Sequence, residues 1–358
     1  MKKKKKKIIF IIPIIIILLV VTGISLCFYF TSPVNGSDAI VEFTVKEHTS
    51  TVEVIDELKK KNLIKNTLFT KLYLKVNKFD SIKAGNFELM RSMSLRDIFK
   101  TITSSKNIKD DSIVVTFVEG QTIKDYAKEL NKKLGINEEE FINKTNDIEY
   151  LKTLINKYWF LTDEILNESI YYKLEGYLSP DTYMFYPTAK AENVIEKMLD
   201  QTDSILKDYK TVIQSNNHTY HQLLTLASIA ELEGKYLEDR KNIIGVFYNR
   251  LANGDKLGSD VTTYYGAGIK MADRDLYESE LIASNGYNTR SDSMMGKMPV
   301  GPICNPSKDS IEASINYNSN DFYFFVSDKN SKIYFSRTND EHNNIINDLI
   351  NKGLWFEY

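Results

Sequence analysis

Two glutamates at the end of an apolar segment are the residues of this sequence best suited to acid–base chemistry. The segment Tyr220–Lys235, YHQLLTLASIAELEGK, predicts a helix that is apolar nearly all round and therefore buried. Glu231 and Glu233 fall at its end. A carboxyl group held there is desolvated, its neutral form is favoured, and it becomes suited to act as a general acid near neutral pH. Periodicity does not choose between the two glutamates, and the alternative is a helix that ends at Ala230 and leaves both in solvent.

Other kinds of chemistry lack their motifs. The sequence contains no GxxxxGK[ST] phosphate loop, no GxGxxG, no HExxH and no GxSxG. Its cysteines, Cys27 and Cys304, fall in an apolar N-terminal segment and in a proline-rich loop, so we expect neither a disulfide nor a cysteine nucleophile. The histidines are too few and too scattered for a metal site, and we predict neither a metal nor a cofactor. They are His48, His218, His221 and His342.

The glutamates lie within a motif that resembles a known family. The stretch 227–251, ASIAELEGKYLEDRKNIIGVFYNRL, resembles the signature of the YceG-like endolytic murein transglycosylases, in which an ASIxExE helix is followed by ER or DR and then VFxNRL. Further segments follow in the order that the family shows. They are Leu174–Tyr183 (LEGYLSPDTY), Leu257–Thr262 (LGSDVT), Tyr287–Thr289 (YNT), Gly301–Pro306 (GPICNP) and Phe335–Asn343 (FSRTNDEHN).

The resemblance implies an enzyme that cleaves peptidoglycan glycan strands internally and leaves 1,6-anhydro ends. It implies that the first glutamate of the pair, Glu231, is the acid and then the base, while Glu233 either supports it or faces solvent. Other polar residues in the matching motifs are candidates for substrate binding: Arg240, Asp260, Tyr287, Asn288, Asn305 and His342. The sequence departs from the family pattern at Ser179, Gly258, Val261, Arg290 and 298–300. We expect these departures to affect the details of the sugar subsites.

The N-terminus predicts a membrane anchor. Lys2–Lys7 precede Ile8–Phe30, an uncharged stretch of 23 residues that would span ~34 Å as a helix, enough to cross a hydrocarbon core of ~30 Å. A cleaved signal peptide would have an apolar stretch of only ~7–15 residues. Because basic residues stay on the cytoplasmic side, we predict a single-pass protein of the cell membrane with its catalytic domain outside.

The rest of the chain predicts an α+β fold with small modules before the catalytic domain. Val41–Val45 with Thr51–Lys61, and Val114–Val118 with Thr122–Leu130, form a weak repeat of a strand–turn–helix unit that we interpret as LysM-like. Such units either bind glycan or hold the catalytic domain off the membrane. The predicted parts are a basic tail (1–7), a transmembrane helix (8–30), a linker (31–37), small modules (38–173) and a catalytic domain (174–358).

Charge indicates which partners to expect. The chain has 46 Lys and Arg against 48 Asp and Glu, and six of the lysines are Lys2–Lys7, so the remainder carries 40 cations and 48 anions. Nucleic acid is therefore excluded as a partner. The expected partners are glycan strands, the membrane and, by the resemblance, peptidoglycan synthases. Two other functions stay open: a wall-binding scaffold with a dead site, and a hydrolytic muramidase that uses Asp260 as its second carboxylate.

Overall fold

The computed structural model describes residues 2–46, 49–109 and 112–355, with side chains from residue 14 onward. The chain forms two compact units, residues 1–111 and 112–358. Both mix helices and strands, as the α+β prediction requires. Of the residues singled out by sequence, His48 lies outside the described ranges.

The first unit begins with the apolar segment. Helix α1 runs over Lys2–Thr31. Residues 14–29 are exposed, and Phe30 and Thr31 at its end are half-buried. By length and composition it could cross a membrane, and both an anchor and a signal sequence meet that description. The predicted helix is confirmed, whereas its membrane topology stays a prediction.

The remainder of the first unit is a three-stranded antiparallel sheet with helices packed on it. Strands β1 (Ile40–Val45), β2 (Gly85–Met90) and β3 (Ile108–Lys109) are adjacent in that order, with Phe43 opposite Phe87. The helices are α2 (Thr51–Lys60), α3 (Thr67–Val76) and α4 (Leu95–Ile102). Their apolar faces and the two phenylalanines form one core. The strand and helix predicted at Val41–Val45 and Thr51–Lys61 are confirmed here, and Ser94 caps α4. A LysM-like character stays a prediction.

The second predicted strand–turn–helix copy belongs to the second unit. Strand β4 (Ile113–Thr116) pairs antiparallel with β5 (Thr182–Phe185). Helix α5 (Ile123–Leu134) follows and packs into a core that also contains Tyr177 and Leu223. The compact units thus divide between residues 111 and 112, and the predicted start of the catalytic domain at residue 174 lies inside the second unit. The reason is a strand pairing between segments far apart in sequence, which local patterns do not indicate.

Helices dominate the rest of the second unit. Residues 138–157 contain two helices, and a short 3-10 helix (Asp163–Leu166) and turns follow them. Strands β6 (Phe324–Ser327) and β7 (Ile333–Ser336) form an antiparallel pair. The helices are α6 (Glu138–Thr145), α7 (Ile148–Lys157), α8 (Ala191–Leu206), α9 (Lys210–Gln214), α10 (Tyr220–Glu233), α11 (Leu237–Asn253), α12 (Asp260–Ala267), α13 (Glu278–Leu281), α14 (Lys308–Ile315) and α15 (Asn339–Asn351).

Helix α10 is the central helix of this unit. It is buried from Tyr220 to Ala230, as its apolar sequence predicts, and Thr219 begins it with a capping box. Helices α11 and α14 pack against it through a shared apolar cluster. Because the helix continues to Glu233, the alternative that it ends at Ala230 is wrong. Gly254 ends α11 in the left-handed conformation that glycine adopts readily after a helix.

A tight turn positions the segment that precedes β5. Gly176 has φ +85°, and a Cβ added there would lie 2.5 Å from Cβ of Pro302. Its backbone N–H donates to Oδ1 of Asn305 at 2.9 Å. Both the backbone angle and the proline ring therefore require glycine at this position.

We expect Gly176→Ala to destabilise the second unit. The left-handed angle costs roughly 1–2 kcal/mol, and the contact with Pro302 adds roughly 1–3 kcal/mol of overpacking. The matched control is Gly135→Ala, because Gly135 has φ +69° with no atom within 4 Å of the added Cβ, so it should show only the first cost. Urea unfolding measures both, followed by fluorescence of Trp159 and Trp355, which both lie in this unit. Equal losses in the two variants would contradict the clash.

Candidate active site

Glu231 is a half-buried residue, as Glu233 is, and its carboxylate is surrounded by hydrogen-bond donors. Its side chain is only 8% exposed. Oε1 accepts a hydrogen bond from Nη2 of Arg240 at 3.0 Å. Oε2 accepts three more, from the backbone N–H of Ser307 at 2.9 Å, the Ser307 hydroxyl at 2.5 Å and the Ser310 hydroxyl at 2.7 Å. Ser307 is the N-cap of α14, so the carboxylate also lies at the positive end of that helix.

Arg240 completes this arrangement. Its Nε donates to the carbonyl of Gly234 at 2.8 Å, and its Nη1 donates to the Ser307 hydroxyl at 2.8 Å. The guanidinium is buried and therefore needs the charge of Glu231 beside it. Glu231 and Arg240, both predicted site residues, thus join the ends of α10 and α11 to the start of α14.

Glu233 lies in a different environment. It is half-buried, and the Ser259 hydroxyl donates to its Oε1 at 2.6 Å. Desolvation raises the pKa of Glu233 above its usual range. The hydrogen bond from Ser259 opposes this rise, nearby Asp260 adds to it, and Arg290 and Arg250 reduce it. The desolvated carboxyl group that the sequence predicted at the end of this helix is therefore found at Glu233.

Asp260 is the first residue of α12 and lies near Glu233. It forms an ion pair with Nε of Arg290, one of the positions that departs from the family pattern. Buried hydroxyl groups connect α12 to the segment around Thr289. The Thr262 and Thr289 hydroxyls lie 2.7 Å apart, and the Thr289 hydroxyl accepts from the Ser259 N–H at 3.0 Å. This network fixes the position of Ser259 relative to Glu233.

Two asparagines that the sequence offered as substrate ligands hold loops together. The amide of Asn288 donates to the carbonyls of Glu280, Leu281 and Ala283 at 2.7–3.1 Å. The side-chain oxygen of Asn305 accepts from the N–H groups of Gly176 and Leu178 at 2.9 and 3.2 Å. Both asparagines are fully buried, so their side chains are occupied by the protein itself.

The remaining predicted residues pack against aromatic rings. Tyr287 is fully buried, with its ring centroid 4.7 Å from Tyr171 and 4.8 Å from Tyr265. His342 on α15 has its ring 5.4 Å from Phe324. Burial and the charge of Arg250 lower the pKa of His342. Among the described ranges 2–46, 49–109 and 112–355, no three His, Cys, Asp or Glu side chains are grouped so that they could hold a metal ion.

A cleft beside this helix end is lined with tyrosines. It has a volume of about 390 Å³. Leu232, between the two glutamates, and Val261, next to Asp260, line it, whereas the two glutamates themselves do not. Four tyrosines line it: Tyr171, Tyr172, Tyr264 and Tyr265. Aromatic faces of this kind pack well against the apolar faces of sugar rings. A larger cavity of about 580 Å³ lies at the start of α10, lined by His218 and His221, and neither glutamate lines it.

Glu175 is a buried acid that the sequence patterns do not single out. Its Oε1 accepts from the Ile123 N–H at 2.9 Å and from the amide of Asn305 at 3.2 Å. Its Oε2 lies 3.1 Å from the hydroxyl of Tyr265, which lines the cleft. Burial raises the pKa of Glu175 to about 8. The signal that could have found it is its place in the LEGYLSPDTY segment, where it is the only acid before Asp181.

The fold and the carboxylate pair define an α+β protein built around a buried, glutamate-bearing helix. A YceG-like protein from Listeria monocytogenes, with a crystal structure at 2.6 Å, is similar to it, with 30% identity and a TM-score of 0.61 over 86% of this chain and 99% of that one. The sequence profile of the YceG-like family matches residues 43–348. The chain belongs to the YceG-like family.

Two relatives have names that state an activity. An endolytic murein transglycosylase of Streptococcus pneumoniae (strain D39) is 32% identical over 332 residues, which cover 89% of this chain and 60% of that protein. An endolytic murein transglycosylase of Bacillus subtilis (strain 168) is 32% identical over 309 residues, covering 86% of this chain and 84% of that protein. The chain therefore spans about 60% of the length of the pneumococcal relative.

We expect Glu175 to make the stability of the second unit depend on pH. Its pKa is about 8 in the folded chain against an ordinary value of 4.5. The folded state therefore holds the proton more tightly, and this contribution is fully present below about pH 4.5 and is lost as the pH rises towards 8. Each unit of pKa difference corresponds to about 1.4 kcal/mol. Glu175→Gln keeps the shape but cannot ionise, so it should remove this loss.

The measurement is urea unfolding of the full chain and of the variant at pH 5 and pH 8, followed by tryptophan fluorescence. The free energy of unfolding of the original chain should fall between the two pH values relative to that of the variant. A constant difference between the two proteins would show that Glu175 titrates at an ordinary pH in the folded state.

Proposed function

We propose that this chain is an endolytic lytic transglycosylase that cleaves the bond between N-acetylmuramic acid and N-acetylglucosamine within peptidoglycan strands. The observation that carries the proposal is the glutamate pair at the end of α10: Leu232 between the two lines a tyrosine-lined cleft, and the pKa of half-buried Glu233 is raised. The activity named for the relatives from S. pneumoniae and B. subtilis supports it.

The reaction needs one carboxyl group that serves twice. The protonated group gives its proton to the glycosidic oxygen, the bond from C1 of N-acetylmuramic acid to that oxygen breaks, and N-acetylglucosamine leaves with a free hydroxyl. The carboxylate then takes the proton from the C6 hydroxyl of the same N-acetylmuramic acid while that oxygen bonds to C1. A 1,6-anhydro ring forms, the carboxyl group is protonated again, and no water is consumed.

The hydrogen bonds favour Glu233 for this role. The resemblance instead implied Glu231, two residues earlier on the same helix. Both oxygens of Glu231 already accept hydrogen bonds, one of them from the Arg240 guanidinium. The Glu231 carboxylate is thus the counter-charge of that buried guanidinium. Glu233 has one hydroxyl donor and a raised pKa, which suits a group that must be protonated before it acts. The assignment to Glu231 stays the alternative that the experiment below decides.

The cleft offers contacts for the rest of the substrate. Its tyrosines can stack on sugar rings, and Lys124, Lys128 and Lys270 line the same cleft, where they can attract the carboxylates of peptide stems. Arg290 and Asp260 lie partly exposed near Glu233 and can contact N-acetyl or hydroxyl groups. The Arg290 ion pair also disfavours Asp260 as the free second carboxylate that a hydrolytic muramidase requires.

The anchor belongs to the same proposal. We infer that α1 spans the cell membrane with Lys2–Lys7 in the cytoplasm and residues 38–358 facing the wall, because cationic residues flank one end of the apolar segment and stay inside. A transglycosylase held there would meet new strands beside the synthases that make them and would set strand length. The module of residues 38–111 would contribute glycan binding or positioning.

We expect Glu233→Gln to abolish activity without unfolding the protein. The amide keeps the volume but carries no transferable proton, and loss of general acid–base catalysis costs typically ~10²–10⁴-fold in rate for each role. Removing a desolvated titrating group should leave stability equal or slightly higher. The assay is release of 1,6-anhydro-muropeptides from purified sacculi by mass spectrometry, with thermal unfolding in parallel.

Glu231→Gln is the matched control on the same helix. It removes the charge that neutralises Arg240, and breaking a buried pair costs roughly 3–5 kcal/mol, so its main effect should be on thermal unfolding. The acid role would return to Glu231 if Glu231→Gln lost activity at unchanged stability while Glu233→Gln kept its activity. Reducing ends in place of anhydro ends would favour the muramidase, and no cleavage by the original chain would favour the scaffold.

A further inference from the structure

Helix α3 in the first unit presents an apolar stripe to solvent. Leu68, Leu72 and Val76 are spaced four residues apart, so they lie on one face of the helix. Their exposed fractions are 73%, 61% and 82%. Three large aliphatic side chains so exposed on one ten-residue helix form a continuous apolar surface, which normally has a partner.

The start of α3 is fixed to the end of α1. The ring of Phe69 stacks on Phe30, with the centroids 5.1 Å apart and the planes 30° apart. Nζ of Lys65 donates to the carbonyl of Tyr29 at 3.0 Å and to the hydroxyl of Ser32 at 2.8 Å. Both contacts are to the last turn of α1, where the apolar segment gives way to polar residues. The apolar stripe therefore begins where the span of α1 ends.

Charge around α3 matches a lipid surface. Seven lysines and no acidic residue occur between Glu57 and Asp80. On the helix itself, Lys71 and Lys75 lie beside the apolar stripe, as their positions one residue before Leu72 and Val76 require. Lysine stems of this kind can lie along an apolar surface while the ammonium group reaches lipid phosphates.

We propose that α3 is an interfacial helix whose Leu68–Leu72–Val76 stripe inserts at the boundary of headgroups and acyl chains in the membrane that α1 crosses. Amphipathic helices with lysines beside an apolar face bind membranes in this way and bury that face by roughly 5–10 Å. The inference rests on the proposed anchoring by α1. It means that the first unit is held against the lipid surface at two points, the anchor and the stripe.

The experiment uses the full chain in liposomes of phosphatidylcholine and phosphatidylglycerol. A C27S/L72C protein is labelled at position 72 with an environment-sensitive fluorophore, since Cys304 is buried and does not compete. The label should be quenched by spin-labelled lipids and should be severalfold less accessible to iodide than a label at V52C on α2. Val52 is a suitable control because it is 50% exposed in the same unit but lies outside the stripe.

Two further proteins separate the possible failures. L68E/V76E in the C27S/L72C background should make the label accessible to iodide while thermal unfolding stays unchanged, because both side chains are exposed. A label on native Cys27, which lies exposed within α1, reports on the anchor: if spin-labelled lipids do not quench it, the proposed anchoring fails.

If Cys27 is quenched but position 72 stays accessible to iodide, only the inference about α3 is overturned. Protection of position 72 from both iodide and spin-labelled lipids would mean that protein covers the stripe, and this result also overturns it.

Discussion

The second unit depends on the ion pair between Glu231 and Arg240. The carboxylate at the end of α10 meets the guanidinium from α11 and the first N–H and hydroxyl groups of α14. A buried charge is tolerated only where it is paired and hydrogen-bonded, so these three helix ends can meet in few other ways. Residues two apart on a helix point about 200° apart. Because Glu231 faces α14, Glu233 must face away from that helix, towards Ser259.

Much of the architecture follows from sequence because it depends on local patterns. The apolar periodicity of 220–233 predicts a buried helix, Ser94 predicts a helix start, and Gly254 a helix end, and all three are found. The position of the boundary between the two units does not follow, because it depends on the pairing of β4 with β5. No pattern within either strand indicates which distant segment it will join.

The site itself follows only in part, for a similar reason. A polar residue in a family motif can bind substrate or hold the protein together, and the difference lies in its partners. Asn288 and Asn305 make their hydrogen bonds to loop backbone, so their side chains have no capacity left for a sugar. The two glutamates have the same residue type on the same helix, and sequence does not reveal which one receives the arginine. Glu175 is the opposite case. The sequence does not single it out, yet it contacts Tyr265, which lines the cleft.

The turn at 119–121 is joined to the loop before α14 by paired backbone hydrogen bonds: Gly120 donates to the carbonyl of Asn305, and Asn305 donates to the carbonyl of Gln121, both at 2.9 Å. Residues 112–173 therefore supply part of the frame on which α14, and with it the carboxylate of Glu231, is supported. In evolutionary terms, a recombination break between residues 112 and 173 would separate this strand and turn from the loop they support.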